Sequence, residues 1–501
     1  MTATRTESAV PNPPADLRRD EAEPFAELHE THTGVVVLYG DRAYKTKRPV
    51  VTDFLDFGTV ERRRLALSRE LELNRRLAPD VYLGVGSLDQ PGGDAEPVLV
   101  MRRLPEHARL TRQLADPAAA GSMLTRLVHR LTDFHDHADR NRAVNAAATV
   151  AAVRARWQSV LAGLTDPPLG AAEVAVVRRL AERYLDGREA LFDQRIATGR
   201  IVDGHGDLRA DDIFVLPDGF RIIDCLEFDD GLRYVDRVDD IAFLVMDLEF
   251  HGAPWVAVHV LERYLTCAGD PAPMSLCHHY IAYRALVRAK VQCVRHGQGD
   301  PDAEPNARRH LDICRRHLES GAVRVGIVGG LPGTGTSTVA AGLAAGTGAV
   351  LLSSDRVRAE LRATGVITGD SGEFGAGAYA ASAVDRVYAE LADRAHEHLV
   401  HGRSVVLDAT WTAAHHREQI LRLAARTSAV PIELCCRAPQ VVSQARITER
   451  RAGVSEATPE IADALAAQAD PWPAARSLDT TEPPSMTVAR ALAEWGVADC
   501  W

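Results

Sequence analysis

The run Val323–Val328, followed by Gly329-Gly-Leu-Pro-Gly-Thr-Gly335-Thr336-Ser337-Thr338 and an alanine-rich stretch, constrains the fold more than any other feature of the chain. A compact apolar run that stops at glycines and reopens as a helix reads as a buried strand, a tight loop and a helix N-terminus. A strand of this kind belongs in a mostly parallel sheet, with helices as its crossover connections. The loop glycines let backbone N–H groups approach an anion, and the helix end favours negative charge, so the unit is a cradle for phosphate. Downstream, Leu351–Arg358 reads as a strand ending in Asp355 with an arginine beside it. Ser404–Thr410 reads as a buried strand ending in Asp408, and Ile432–Cys435 as a further strand. Arg446, Arg450 and Arg451 fall on a helix able to cover phosphates. The change of character at Val323 places the main boundary near Gly321.

A chain of 501 residues is too long for one core. Residues 1–25 read as a disordered, solvated tail without the apolar stretch of a secretory signal. Residues 26–104 form a small α+β lobe. It has β segments Thr33–Tyr39 and Arg42–Lys47 joined at Gly40-Asp41, a helix Thr59–Leu77, and strands Tyr82–Leu88 and Val98–Met101 split by Gln90-Pro-Gly-Gly. Residues 105–320 are mostly helical, with short β segments between Ile201 and Leu226, and 321–501 carry the βα alternation. Apolar residues at 46% and charged residues at 25% exclude wholesale disorder. No apolar run approaches the roughly 20 residues that span a bilayer. A net charge of −11 argues against a sequence-blind nucleic-acid binder. The eight cysteines form no CxxC pair, offer no zinc or disulfide framework, and suit a reducing cytosol, so a cytoplasmic location is expected.

The most informative chemistry lies in His205-Gly-Asp-Leu-Arg-Ala-Asp-Asp-Ile-Phe-Val-Leu-Pro-Asp-Gly-Phe-Arg-Ile-Ile-Asp224. Two β runs, Ile213–Leu216 and Phe220–Ile223, flank the turn Pro217-Asp218-Gly219. Asp207 and Asp212 precede this hairpin and Asp224 closes it, so the three carboxylates converge. Phosphoryl transfer needs such a set: one carboxylate to accept the proton of an attacking hydroxyl, others to hold Mg²⁺ on the nucleotide phosphates.

This stretch resembles the aminoglycoside phosphotransferase-like kinases, relatives of the protein kinases, whose catalytic loop reads His-x-Asp-x-x-x-x-Asn ahead of a hairpin and a metal-binding Asp. The resemblance implies a two-lobed kinase-like fold, with Asp207 as catalytic base, Asp224 as the metal-binding Asp, and His205 bracing the loop. Asp212 stands where the family has Asn and is an equally capable ligand for Mg²⁺, with one more negative charge. Such a kinase also places a lysine on its third strand, paired with a glutamate on the following helix. The chain has only three lysines, Lys45, Lys47 and Lys290, and two of them share one face of one β segment. Lys45 with Glu70 is the favoured pair, with Lys47 and Glu72 as runners-up, and Met101–Leu104 is the expected hinge. From Asp224 to Glu249 there are nine acidic residues against Arg233 and Arg237. Such a run usually means a solvated acidic face; on the functional reading, Glu227, Asp236 and Asp240 are candidates to receive a cationic acceptor such as an amino sugar.

The second half is similar to small P-loop kinases of the gluconate kinase-like and polynucleotide kinase-like types. The pattern GxxxxGK[ST] runs from Gly330 through Gly333 and Gly335 to Ser337, except that Thr336 replaces the lysine. The resemblance implies that Gly330, Gly333, Gly335, Thr336, Ser337 and Thr338 cradle a nucleotide. Ser337 and Asp408 would hold Mg²⁺, and Asp355 would activate an acceptor. Threonine supplies a hydroxyl where lysine supplies a point charge, a loss of roughly 2.7–4 kcal/mol by analogy with other preorganised donors. The order of the halves also matches a bacterial tandem type in which a phosphotransferase-like domain precedes a P-loop kinase. The expected function is ATP- and Mg²⁺-dependent transfer of phosphate to a hydroxyl of a small molecule, with no nucleic acid or membrane as partner. The alternative is a non-catalytic nucleotide-sensing or scaffolding protein.

Overall fold

The computed structural model describes residues 24–30, 34–51, 56–89, 95–114, 117–164, 167–368, 375, 377–449 and 458–496. The turn Gln90–Gly93, most of the N-terminal tail, and Arg450 and Arg451 lie outside the described residues. The chain divides into two compact units, one made of residues 1–148 and 199–271, the other of 149–198 and 272–501.

In the first unit, β1 (Ala26–Glu30), β2 (Gly34–Tyr39), β3 (Arg42–Lys47), β4 (Tyr82–Leu88) and β5 (Glu96–Arg102) form an antiparallel sheet in the order β1-β2-β3-β5-β4. The β2–β3 hairpin turns at Gly40-Asp41 as expected, pairing Tyr39 with Arg42 and Gly34 with Lys47. β1 carried no sequence signal: its residues are almost all exposed, so alternation is missing at this sheet edge. The helix Val60–Asn74 starts where the Thr59 hydroxyl accepts the Arg62 N–H. Its buried residues, Arg63, Leu67, Glu70, Leu73 and Asn74, have helical spacing, yet three of the five are polar. Each polar member has its partner: Arg63 forks onto both oxygens of Glu96 at 2.6 Å, and Asn74 accepts the Cys225 N–H at 2.9 Å. Leu67 joins Ala43, Val81, Tyr82, Leu99 and Met101 in the sheet-facing core.

Below this sheet in the chain, β6 (Ile201–Asp203) pairs with β9 (Tyr234–Asp236), and β7 (Ile213–Leu216) with β8 (Gly219–Ile222) as the expected hairpin. The helix Arg237–Phe250 follows, buried along almost its whole length.

In the second unit, β10 (Arg324–Gly329), β11 (Val350–Ser353), β12 (Val405–Asp408), β13 (Val430–Arg437) and β14 (Arg476–Asp479) form an all-parallel sheet in the order β11-β12-β10-β13-β14. The order reverses at β10, so the glycine loop leaves the sheet at its switch point, where crevices form beyond the strand ends. The structure corrects one detail of the reading: Asp355 lies in the first turn of the helix Ser354–Ala363, not at the end of a strand. The helix Thr336–Thr347 packs on Pro484–Trp495, with Gly342 beneath Val488 and Gly346 beneath Leu492. Helices from 149–198 and 272–320 belong to this unit. The Arg188 guanidinium, fully buried, donates to Thr427 O at 2.7 Å, and Ser275 Oγ donates to Gly402 O at 2.6 Å. Among these helices, Trp157 Nε1 donates to His279 Nε2 at 3.0 Å, and the His279 ring stacks on Tyr184. Lys290 donates to Ser159 O at 3.2 Å and lies over Gly163.

Two expectations about stability follow. A Cβ at Gly342 would stand 2.5 Å from Val488 Cγ2, so Gly342→Ala is expected to destabilise by about 1–3 kcal/mol despite better helix propensity. Adding Val488→Ala should recover part of that loss in thermal unfolding. Burial also pushes His278 and His279 down to about 3, with His317 and Arg156 respectively adding to the effect. Their neutral forms stabilise the fold fully above the unfolded value of about 6.5, and the contribution is lost as pH falls from there toward 3. Denaturant titrations across that window should show a slope of up to about 1.4 kcal/mol per pH unit for each histidine, and His279→Phe should reduce it.

Candidate active site

Strand β3 points Ala43, Lys45 and Lys47 toward the helix Val60–Asn74, and both ammonium groups meet one carboxylate. Lys45 Nζ lies 2.7 Å from Glu70 Oε1, and Lys47 Nζ 2.9 Å from Glu70 Oε2. Glu70 is fully buried, and its two lysines hold it ionised against the upward push of burial. Glu72 is exposed and pairs with Arg69. Lys45 also reaches Asp224 Oδ1 at 3.1 Å, and Lys47 reaches Glu227 Oε1 at 2.5 Å. Burial disfavours the Lys45 charge, yet Asp224, Glu70 and Glu227 together raise its affinity for the proton well above the ordinary lysine range.

The segment before β7 and the residue after β8 bring Asp207, Asp212 and Asp224 together, with one oxygen of each within 4.8 Å of the others. Asp224 has φ 63°, a left-handed conformation that a non-glycine residue keeps only when its surroundings impose it. Its N–H donates to the Tyr82 hydroxyl at 3.2 Å, and the next N–H, of Cys225, is the one bonded to Asn74. Lys45, ahead of Arg209, holds the Asp224 carboxyl well below the usual range, whereas burial raises Asp212. Arg209 stands among the three acids: 3.3 Å from Asp207 Oδ2, 2.6 Å from Asp212 Oδ2 and 3.8 Å from Asp224 Oδ2. A guanidinium at the centre shows that the pocket accommodates positive charge, and three convergent carboxylates are a donor set for a hard, oxygen-seeking ion such as Mg²⁺.

The loop is braced from beneath by Asp240, buried at 0% exposure. It accepts the N–H groups of His205 at 2.7 Å and Gly206 at 2.9 Å, and contacts His135 Nε2 at 3.0 Å. Burial would raise the Asp240 carboxyl, but these donors win and hold it low. His205 itself contacts Ile223 O through Nε2 at 3.1 Å, tying the loop to the residue before Asp224. Asp247 accepts the Ala210 N–H at 2.8 Å. The acidic run is therefore internal scaffolding at the positions proposed for a cationic acceptor: Asp240 braces, Asp236 caps the helix Arg237–Phe250, and Glu227 pairs with Lys47. In the expected hinge, Arg103 is buried and donates to Pro24 O and Glu27. Sequence reasoning missed Arg209, whose signal was its place as one of two cations, with Arg221, in an otherwise acidic stretch. It also missed His135, which nothing local distinguishes.

In the second unit the loop after β10 has Gly333 at φ 82° and Gly335 at φ 87°, so the backbone curls as a phosphate cradle requires. Asp408, at the end of β12, is bonded by the hydroxyls of Ser337, Ser353 and Thr336, while burial raises its carboxyl. Thr336 thus faces the acid that Ser337 faces. Asp355 pairs with Arg358 at 2.7 Å, and Arg358 lies over the Tyr379 ring. Arg446 comes from the helix Gln440–Thr448 to Gly333 O at 3.4 Å and Thr480 O at 2.7 Å, putting one guanidinium against the loop that lacks its lysine.

Residues 325–471 match the family model described as an AAA domain. The uncharacterized protein Rv2004c of Mycobacterium tuberculosis is 46% identical over 477 residues, covering 94% of this chain and 96% of that protein. The uncharacterized protein Mb2027c of Mycobacterium bovis matches to the same extent. The chain belongs to their family. Among solved structures, a choline/ethanolamine kinase family protein from Mesorhizobium loti is 17% identical over 60% of this chain and 89% of its own, with a TM-score of 0.39. A gluconokinase from Sinorhizobium meliloti is 14% identical over 35% of this chain and 92% of its own, with a TM-score of 0.25.

The bracing acid makes a sharp prediction. In Asp240→Asn one oxygen becomes an amide that meets backbone donors with a donor, so the loss should be about 3–5 kcal/mol, as for a broken buried charge pair. A fall in the urea midpoint of that size is the expected reading.

Proposed function

We propose that the protein is an ATP- and Mg²⁺-dependent phosphotransferase acting on a hydroxyl of a small molecule, with chemistry in the kinase-like part, residues 26–320. The observation that carries this reading is the convergence of Asp207, Asp212 and Asp224 beside the Lys45–Glu70 pair. Asp212 and Asp224 would hold Mg²⁺, Lys45 would contact nucleotide phosphates, and Mg²⁺-ATP would supply the transferable phosphoryl group. Asp207, half-buried at the loop, accepts the proton of the acceptor hydroxyl as its oxygen attacks. The P-loop part, 321–501, offers Gly330, Gly333, Gly335, Thr336, Ser337 and Thr338 to a second nucleotide, with Ser337 and Asp408 toward Mg²⁺ and Asp355 toward an acceptor. Threonine in place of the lysine at 336 favours nucleotide binding there over fast turnover. A cytoplasmic location goes with this reading.

In the full chain, Asp207→Asn should lower phosphate transfer from ATP, to water or to a panel of sugars and amino alcohols, by about 10²–10⁴-fold. Calorimetric Mg²⁺-ATP binding should persist. Equal turnover in variant and wild type would refute Asp207 as base. A full chain that binds nucleotide but transfers nothing would favour the sensing alternative.

A further inference from the structure

The second unit holds a cluster that phosphate transfer does not use. Asp385 lies on the helix Ala381–Val400, and His415 and His416 open the helix Ala414–Arg426. Both imidazoles turn Nε2 toward one atom, Asp385 Oδ1, at 2.9 Å from His416 and 3.5 Å from His415. One donor atom of each residue lies within 4.8 Å of the others. Around a tetrahedral ion with bonds of about 2.0–2.1 Å, neighbouring donors stand about 3.3 Å apart, and the two measured separations bracket that spacing.

The His416 ring is held in place. It stacks on Tyr388 with centroids 3.9 Å apart and planes 6° from parallel. The Tyr388 hydroxyl is fixed in turn by Thr410 Oγ1 and by the Trp411 N–H, each at 3.2 Å. The stack fixes the plane of the His416 ring and with it the direction of Nε2. His415 and Asp385 are largely exposed, so the opening toward solvent leaves room for a fourth ligand. A simple His416–Asp385 ion pair would not need a second imidazole on the same oxygen. Two nitrogens and one oxygen suit a borderline ion and not Mg²⁺ or Ca²⁺, which take oxygen donors.

We propose that Asp385, His415 and His416 form a binding site for a divalent transition-metal ion of the zinc type, with three protein ligands and one open position. The site joins the two helices and is chemically distinct from the all-carboxylate cluster of Asp207, Asp212 and Asp224.

The test is cobalt(II) titration of the full chain in excess Mg²⁺, read by visible absorption and confirmed with zinc(II) by calorimetry. The expected result is one ion per chain with the intense bands of a tetrahedral or five-coordinate centre. Affinity should fall at least tenfold in His415→Ala and in Asp385→Asn. Both residues are exposed, and an unchanged thermal midpoint without metal would show that each variant folds. Absence of stoichiometric binding would overturn the proposal. So would binding that survives both variants, or binding abolished by Asp224→Asn instead.

Discussion

A carboxylate with no access to water can stay charged only if cations come to it, and Glu70 is that carboxylate. Two lysines from one strand meet its two oxygens, and each continues to a second acid, Lys45 to Asp224 and Lys47 to Glu227. The helix Val60–Asn74, strand β3 and the segment after the hairpin are thus joined by alternating charges. Removing Lys47 would take from Glu227 its ion-pair partner and leave Glu70 with one lysine in place of two, and a buried carboxylate so deprived costs more than the net worth of the pair. The same logic holds for the other buried polar residues of this helix: Arg63 meets Glu96 and Asn74 meets the Cys225 N–H, so each is matched where it is buried.

The acids on the other side of the site are balanced differently. Asp207, Asp212 and Asp224 converge around Arg209, and the loop bearing two of them rests on Asp240, whose oxygens are filled by backbone N–H groups and His135. Asp240 positions the loop and Arg209 offsets its charge. A divalent ion arriving at the three carboxylates would compete with a guanidinium already there, so metal affinity and the resting place of Arg209 are linked.

Much of this was legible in the sequence. The hairpin signals, the convergence of the three Asp residues, the lysine pair and the βα alternation after Val323 all rest on local chemistry, and strands β2, β3, β4 and β7 fall within a residue of their expected limits. What escaped had no local cause. β1 is an exposed edge strand without alternation, and His135 reaches Asp240 across 105 positions. The acidic run after Asp224 reads in sequence as a solvated face, or else as a receptor for a cation, because sequence shows charge without burial. In the structure Asp229 and Asp230 are exposed, whereas Asp236, Asp240 and Glu227 are turned inward as cap, brace and counter-ion. Cysteine spacing, used to judge metal binding, could not report on His415, His416 and Asp385, which come from two helices.

The two compact units interleave along the chain: residues 149–198 leave the first unit's stretch of sequence, join the second, and return. The chain passes from one unit to the other three times, so neither is a bead that recombination could move by a single splice. A break at Gly321 would strip the parallel-sheet part of the helices whose Arg188 and Ser275 tie into Thr427 and Gly402. Inheritance as an undivided piece is the natural outcome, consistent with mycobacterial relatives that align with this chain over nearly their whole length.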